Sequence, residues 1–112
     1  MQQKIFKTQN SEEIFVEIAD NFFRRFCGLM GKKNLPARHG LFISPCNSIH
    51  MCFMNFPIDA VFLDKDYRIK KIAVNLPTWT GFSFCFGAWG VLEINSGEAE
   101  NLKLKVGEKI CC

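Results

Sequence analysis

The chain has 112 residues, of which 48% are apolar and twelve are Phe, and its formal net charge is +3. This length accommodates one domain with one core, predicted to span residues 1–112, and the apolar content excludes a disordered chain. The basic residues are scattered and no apolar run reaches the ~20 residues of a membrane helix, so we expect neither a nucleic-acid nor a membrane partner.

The first residues of the sequence favour a cytoplasmic location, and this location in turn predicts free thiols. The first ten residues are polar and mixed, so no secretory signal is visible. The cysteines are expected to be free thiols, because the apolar content can build a core without disulfides and the cytoplasm is reducing. They are Cys27, Cys46, Cys52, Cys85, Cys111 and Cys112.

The N-terminal third of the chain predicts two strands and one helix. Residues 4–7 are predicted to form a first strand, and alternating apolar residues over 14–18 predict a second. Asp20 is typical of a helix N-cap, and the apolar residues after it recur at spacings of three and four. This pattern predicts an amphipathic helix over about 20–31 that ends at Gly31.

After this helix the pattern changes to short strands separated by turn residues. The predicted strands are 41–43, 49–54, 58–63, 67–74, 91–94 and 104–110. If the second and third of these pair as a hairpin, Phe53 lies opposite Asp59. A short helix is predicted over about 97–102. The fold class is therefore β-dominated α+β, with a small, mostly antiparallel, barrel-like sheet.

Several motifs in a fixed order carry a resemblance to one family. Residues 25–32 (RFCGLMGK) are similar to an R-x-x-G-L-M-x-[RK] signature, and 50–59 (HMCFMNFPID) to an H-M-x-F-M-x-x-P-[IL]-D centre. With the VLEI of 91–94 and the KVGE of 105–108, the chain resembles domain-of-unknown-function family 192 over about residues 12–110. The resemblance implies a small, β-rich bacterial or archaeal protein and no particular activity. Cys52 departs from the pattern, which often has a bulky aromatic residue there.

One cluster of side chains has the composition of a metal site. Cys46, His50 and Cys52 follow a C-x₃-H-x-C spacing, and thiolate and imidazole are ligands suited to zinc or copper(I). No second Cys pair of the kind that completes structural zinc sites is visible, and Cys is often a core residue. A metal site and ordinary core thiols both stay open, and no other cofactor is implied.

A second set of polar residues suggests a small-molecule pocket. Asp59 and Glu93 lie inside apolar runs, where burial of a bare carboxylate is costly. Together with His50 and with Arg25 of the predicted helix, they are candidate ligand-binding residues. The alternative is structural: Asp59 accepts backbone N–H groups or pairs with Arg25.

An enzymatic interpretation uses some of the same residues. In a cysteine-dependent hydrolase, His50 would take the proton of Cys46 or Cys52, and Asp59 would orient the imidazole. The predicted hairpin points Asp59 away from His50, so an enzyme is not favoured and no catalytic residue is assigned. The leading hypothesis is a non-catalytic binding or accessory protein, and a metal-binding protein and this hydrolase are the alternatives.

An aromatic-rich segment follows the predicted sheet strands. Alternation in residues 82–86 (FSFCF) indicates one apolar face, and Trp79 and Trp89 flank it. This face is either a packed cover over the sheet or a stacking platform for a flat ligand. Because basic residues are not interleaved with the rings, the packed cover is favoured.

Overall fold

The computed structural model describes residues 2–19, 21, 29 and 32–111. These residues form eight strands and one short helix. They are β1 (Gln3–Lys7), β2 (Glu13–Ala19), β3 (His39–Ile43), β4 (Ser48–His50), β5 (Ile58–Leu63), β6 (Ile69–Leu76), β7 (Phe82–Phe84), β8 (Gly90–Asn95) and α1 (Glu98–Asn101). The predicted short helix is confirmed as α1, and the amphipathic helix predicted over 20–31, with its Arg25, lies outside the described residues.

Six strands form one mixed sheet in the order β1-β2-β3-β8-β5-β6, and β4 and β7 form a separate two-stranded sheet. The β2–β3 pair is parallel, and the other described pairs are antiparallel. A parallel pair needs a connection of about a dozen residues or more. Residues 20–38 between β2 and β3 supply such a crossover.

Each face of the large sheet packs against its own layer. Ile14, Phe42, Leu92 and Ile94 point to one side, where α1 and the chain around Leu102 cover them. This side is called the α1 face. The other side, called the β4–β7 face, carries Leu41, Ile43, Ala60, Phe62 and Val91 beneath the two-stranded sheet. Strand β5 is buried along its whole length because it lies between β8 and β6 and beneath both layers.

The predicted hairpin of 49–54 with 58–63 is wrong. β4 ends at His50, and a turn follows in which the N–H of Met54 donates to the carbonyl of Met51 (3.1 Å). β4 then pairs with β7, while β5 pairs with β6 and β8. The turn carries the chain from the small sheet to the large one, so the two segments cannot lie side by side.

The barrel-like closure is not confirmed, and the last predicted strand is wrong. Within the described residues the edge strands β1 and β6 of the large sheet do not pair directly with each other. The segment predicted as a strand over 104–110 instead makes isolated bridges, Lys7 with Cys111 and Arg68 with Lys109. A turn at Gly107, whose φ is 95°, prevents a continuous ladder along this segment.

Among the described residues, no helix is long and apolar enough to cross a membrane.

Candidate functional site

Asp59 is fully buried on β5, and both oxygens of its carboxylate accept hydrogen bonds from backbone N–H groups. Oδ1 accepts from the N–H of Asn75 (2.8 Å), and Oδ2 accepts from the N–H groups of Gly97 and Ala99 (3.0 Å each). The last two lie at the start of α1, where helix N–H groups have no intrahelical partner. Asp59 thus joins β5 to the end of β6 and to the start of α1, which is the structural role weighed from the sequence.

Glu93 is the second buried acid and lies on β8. Among the described residues, nothing forms a hydrogen bond with its Oε1. Leu41 and Ala60 flank it on the neighbouring strands. Burial in this apolar layer raises the pKa of the Glu93 carboxyl from 4.5 to about 8. The side chain is therefore a neutral acid at and below neutral pH.

The structure does not bring Asp59, Glu93 and His50, the three candidate pocket residues that it describes, together. Asp59 lies opposite Ile94 and Glu93 lies opposite Ala60, so the two acids point to opposite faces of the large sheet. His50 is exposed on β4, opposite Phe82. Arg25 lies outside the described residues.

The candidate metal ligands are not assembled either. Cys46 Sγ donates to the carbonyl of Ser48 (3.0 Å), and Cys52 Sγ donates to that of Trp79 (3.9 Å). In residues 2–19, 21, 29 and 32–111, no group of three His, Cys, Asp or Glu side chains is close enough to hold a metal ion.

A cleft of about 550 Å³ opens on the β4–β7 face of the large sheet. It lies at the end of the sheet that β1, β2 and β3 form. Ile5 and Phe15 form an apolar floor: they are paired across β1 and β2 and remain 50% and 44% exposed. His39 of β3 lies beside Phe15, with the two ring centroids 5.4 Å apart. Residues 32–36 form the wall.

Two Asn side chains hold this wall against the rest of the fold. Asn95, at the end of β8, donates to the carbonyl oxygen of Leu35, and Asn55 donates to that of Lys32 (2.9 Å). Both are side-chain amides bound to loop carbonyls that are remote in sequence. The cleft is therefore built by contacts that tie the wall to the sheet and to the turn before β5.

The charged groups around the cleft are mixed but mainly basic. Lys4 and Lys32 lie at its edge, and Glu17 lies on its floor side. The Nδ1–H of His39 donates to the carbonyl of Ala37 (3.0 Å), because a carbonyl can only accept. The cleft can take an apolar group against Phe15, and its edge carries more lysines than carboxylates.

The sequence contains a signal for this cleft, which is the presence of apolar residues on both faces of β1 and β2. The predicted strands were assigned only one apolar face. β2 has Ile14 and Val16 on one face, yet Phe15 lies between them on the other. β1 likewise has Ile5 beside the buried Phe6. Strands that are apolar on both faces have more apolar surface than one core covers.

The prediction that the aromatic segment is a packed cover is wrong for most of its rings. Trp79, Phe82, Phe84 and Phe86 are 54%, 65%, 45% and 86% exposed. Their neighbours Ser83 and Cys85 are the buried ones. The alternation was therefore recognised correctly, but the small residues face the core.

Comparison with solved structures gives the same fold. A solved structure of a Novosphingobium aromaticivorans protein of unknown function superposes with a TM-score of 0.89, covers 100% of this chain and 86% of that one, and is 26% identical. A Sinorhizobium meliloti protein gives a TM-score of 0.86 at 22% identity, covering 96% and 89% of the two chains. This second likeness concerns the fold alone.

The relatives in sequence are archaeal. A UPF0127 protein of Pyrococcus horikoshii is 36% identical over 100 residues, which are 85% of this chain and 84% of the relative. One from Thermococcus kodakarensis is 43% identical over 101 residues, 85% of this chain and 62% of the relative. Residues 4–112 match the family DUF192, described as "Uncharacterized ACR, COG1430". The chain therefore belongs to DUF192, as the motifs at 25–32 and 50–59 indicated.

Proposed function

We propose that this protein is a non-catalytic binding protein that holds a small molecule, with an apolar body and an anionic end, in the cleft over β1–β3. The observation that carries the proposal is the pairing of Ile5 and Phe15 as an exposed apolar floor in a concave site of about 550 Å³. Small-molecule sites commonly measure ~300–1,000 Å³ and combine an apolar lining with a few polar groups.

Charge favours an anionic end over a cationic one. Two lysines line the cleft against one carboxylate, that of Glu17. The ammonium groups of Lys4 and Lys32 are exposed, so each contributes modestly, by up to ~1 kcal/mol. Most of the binding free energy would come from covering Phe15 and Ile5.

The composition of the lining supports binding rather than acyl-transfer chemistry. No Cys, Ser or Thr is among the described residues that line the cleft. His39 therefore has no neighbouring hydroxyl or thiol to activate there. A nucleophilic mechanism would have to use residues elsewhere in the fold.

The proposal is tested with a pair of probes that differ in charge. Amide chemical shifts of the labelled protein are followed during titration with naphthoate and, separately, with naphthylmethylamine. Naphthoate should shift the resonances of β1, β2 and residues 32–36, and should bind more tightly than the amine. Phe15→Ala should weaken naphthoate binding by about tenfold, because most of one buried ring contact is lost.

Phe84→Ala is the matched control, since Phe84 is an exposed aromatic residue of equal exposure (45% against 44%) on β7. It should leave naphthoate binding unchanged. Equal effects of the two substitutions, or shifts that spread over β4 and β7 instead, would overturn the assignment of the cleft.

A further inference from the structure

We infer that the exposed aromatic surface around β4 and β7 is a docking surface for membranes that contain anionic lipids. The surface consists of Phe53, Trp79, Phe82, Phe84 and Phe86. It is separate from the proposed small-molecule cleft, and neither proposal depends on the other.

The pairing of β4 with β7 places these rings in one continuous region. Phe82 lies opposite His50 and Phe84 lies opposite Ser48, while Ile49 and Ser83 between them point into the core. Phe86 follows Phe84 by two residues. The rings of Phe82 and Phe84 are therefore on the outer face of the two-stranded sheet, where nothing described covers them.

The other two rings extend the same region. The pairing continues past β4, because Met51 donates to the carbonyl of Gly81 (2.9 Å) and accepts from the N–H of Trp79 (2.8 Å). Phe53 then packs edge-on against Trp79, with centroids 5.0 Å apart. Both residues have positive φ, 62° and 67°, a conformation that costs bulky side chains free energy. The backbone thus holds two large rings at the surface.

The charge of the region fits an anionic partner. No Asp or Glu occurs in residues 44–58 or in residues 67–92, which supply the surface and its margin. Lys71 Nζ lies 2.9 Å from the carbonyl oxygen of Phe84, and Lys70 Nζ lies beside Gly87. Both lysines are exposed. Aromatic rings flanked by lysines are the combination that binds at the interface of an anionic bilayer.

The expectation of no membrane partner rested on the lack of a spanning stretch. Adhesion at the interface needs no such stretch, only exposed apolar rings and basic residues on one surface. A protein partner with an acidic, apolar face, or a second copy of this chain, would use the same rings. The tests below separate these occupants from a membrane.

The first experiment is flotation of the full chain with two types of vesicle. One type contains phosphatidylcholine alone, and the other contains equal amounts of phosphatidylcholine and phosphatidylglycerol. The anionic vesicles should bind the protein and the neutral ones should bind at least about tenfold less, because each lysine near the surface adds to the attraction. Binding should weaken as salt concentration rises. Equal binding to both vesicle types, or none to either, would overturn the proposal.

Substitutions then locate the surface. Phe82→Ser and Phe86→Ser should each lower the partition coefficient by about tenfold. Phe15→Ser, at an exposed ring in the cleft, should leave it unchanged. The double variant Lys70→Glu, Lys71→Glu should abolish the preference for anionic vesicles. The control double variant Lys103→Glu, Lys105→Glu makes the same charge change near α1 and should largely preserve this preference. Unfolding curves of all variants identify any loss that results from misfolding.

Two further readouts make the result decisive. Trp79 emission should shift to shorter wavelength when anionic vesicles are added, and Trp79→Phe should remove that shift. Sedimentation of the protein without lipid should show a monomer. A dimer that Phe82→Ser and Phe86→Ser dissolve would overturn the membrane assignment and make this surface an interface between two copies.

Discussion

Asp59 and Glu93 lie one register position apart on neighbouring strands, and their side chains point to opposite faces of the same sheet. Asp59 accepts three backbone N–H groups on the α1 face. Glu93 is buried on the β4–β7 face, and its Oε1 has no hydrogen-bond partner among the described residues. The first acid stabilises the fold, whereas the second costs stability and holds its proton instead. Two mutations separate these contributions.

Asp59→Asn should destabilise the protein by about 1–3 kcal/mol, because an amide nitrogen cannot accept and at least one buried N–H loses its partner. If the amide nitrogen replaces Oδ2, the N–H groups of both Gly97 and Ala99 lose their hydrogen-bond acceptor. Urea unfolding measures the loss, and hydrogen exchange should show it first in α1. Asp66→Asn, at an exposed turn position, is the control and should change little. Unchanged stability in Asp59→Asn with loss of ligand binding would support the ligand role instead.

Glu93→Gln should change the pH dependence of stability. The folded pKa of about 8 lies above the unfolded value of 4.5, so the native state binds more protons between these pH values. The free energy of unfolding contributed by this group is therefore greatest below pH 4.5 and falls as pH rises, by up to about 1.4 kcal/mol per pH unit, until pH 8.

The glutamine is neutral throughout this range and removes that slope. The stability of Glu93→Gln relative to the natural chain should rise steadily from acid to mildly alkaline pH. Denaturant unfolding of both proteins across this range measures the difference. Curves that run parallel would mean that Glu93 has the same proton affinity in both states and is not desolvated.

Two glycines allow a prediction about packing that involves no charge. A Cβ on Gly90 would lie 2.4 Å from the ring of Phe42 and 2.9 Å from the carbonyl oxygen of Ile43. A Cβ on Gly40 would meet its nearest atoms at 2.9–3.0 Å. Gly90→Ala should therefore cost about 1–3 kcal/mol and more than Gly40→Ala, because its Cβ would come closer to a buried side chain and that side chain must move farther. Equal costs measured by thermal unfolding would contradict this order.

The sequence was sufficient for local structure because apolar periodicity is local. Residues 58–63, an unbroken apolar run apart from Asp59, are β5 with the predicted bounds. Pairing was not predictable in the same way. β4 pairs with β7, which is remote in the chain, and periodicity contains no information about which strands meet. The hairpin was inferred from proximity in sequence, and the turn after His50 overrides that proximity.

For the candidate site, the sequence predicted only the burial of single residues from their neighbours in the chain. Asp59 was recognisable as a buried acid from the apolar run around it. Its donors come from the end of β6, at Asn75, and from the start of α1, at Gly97 and Ala99, which only the fold brings together. The cleft was missed for a related reason. The exposure of Phe15 depends on where the two-stranded sheet stops covering the β4–β7 face, which no local pattern encodes.

The cysteines give a test of the hydrolase alternative. Cys52 and Cys111 are exposed, Cys46 is half-buried and Cys85 is buried. The Cys46 thiol donates to the carbonyl of Ser48. In the native protein, iodoacetamide should therefore modify Cys52 and Cys111 first and Cys85 last, with Cys46 between them.

Peptide mass spectrometry of partially labelled protein gives the rate at each of these four positions, and labelling in guanidinium gives the unfolded reference. Accessibility alone should set the order, so each native rate should be equal to or below its unfolded rate. A catalytic cysteine would behave differently, because an adjacent base forms the thiolate only in the folded protein. Faster labelling of Cys46 or Cys52 in the native state than in guanidinium would therefore restore the hydrolase hypothesis, and His50→Ala would show whether the imidazole is its base.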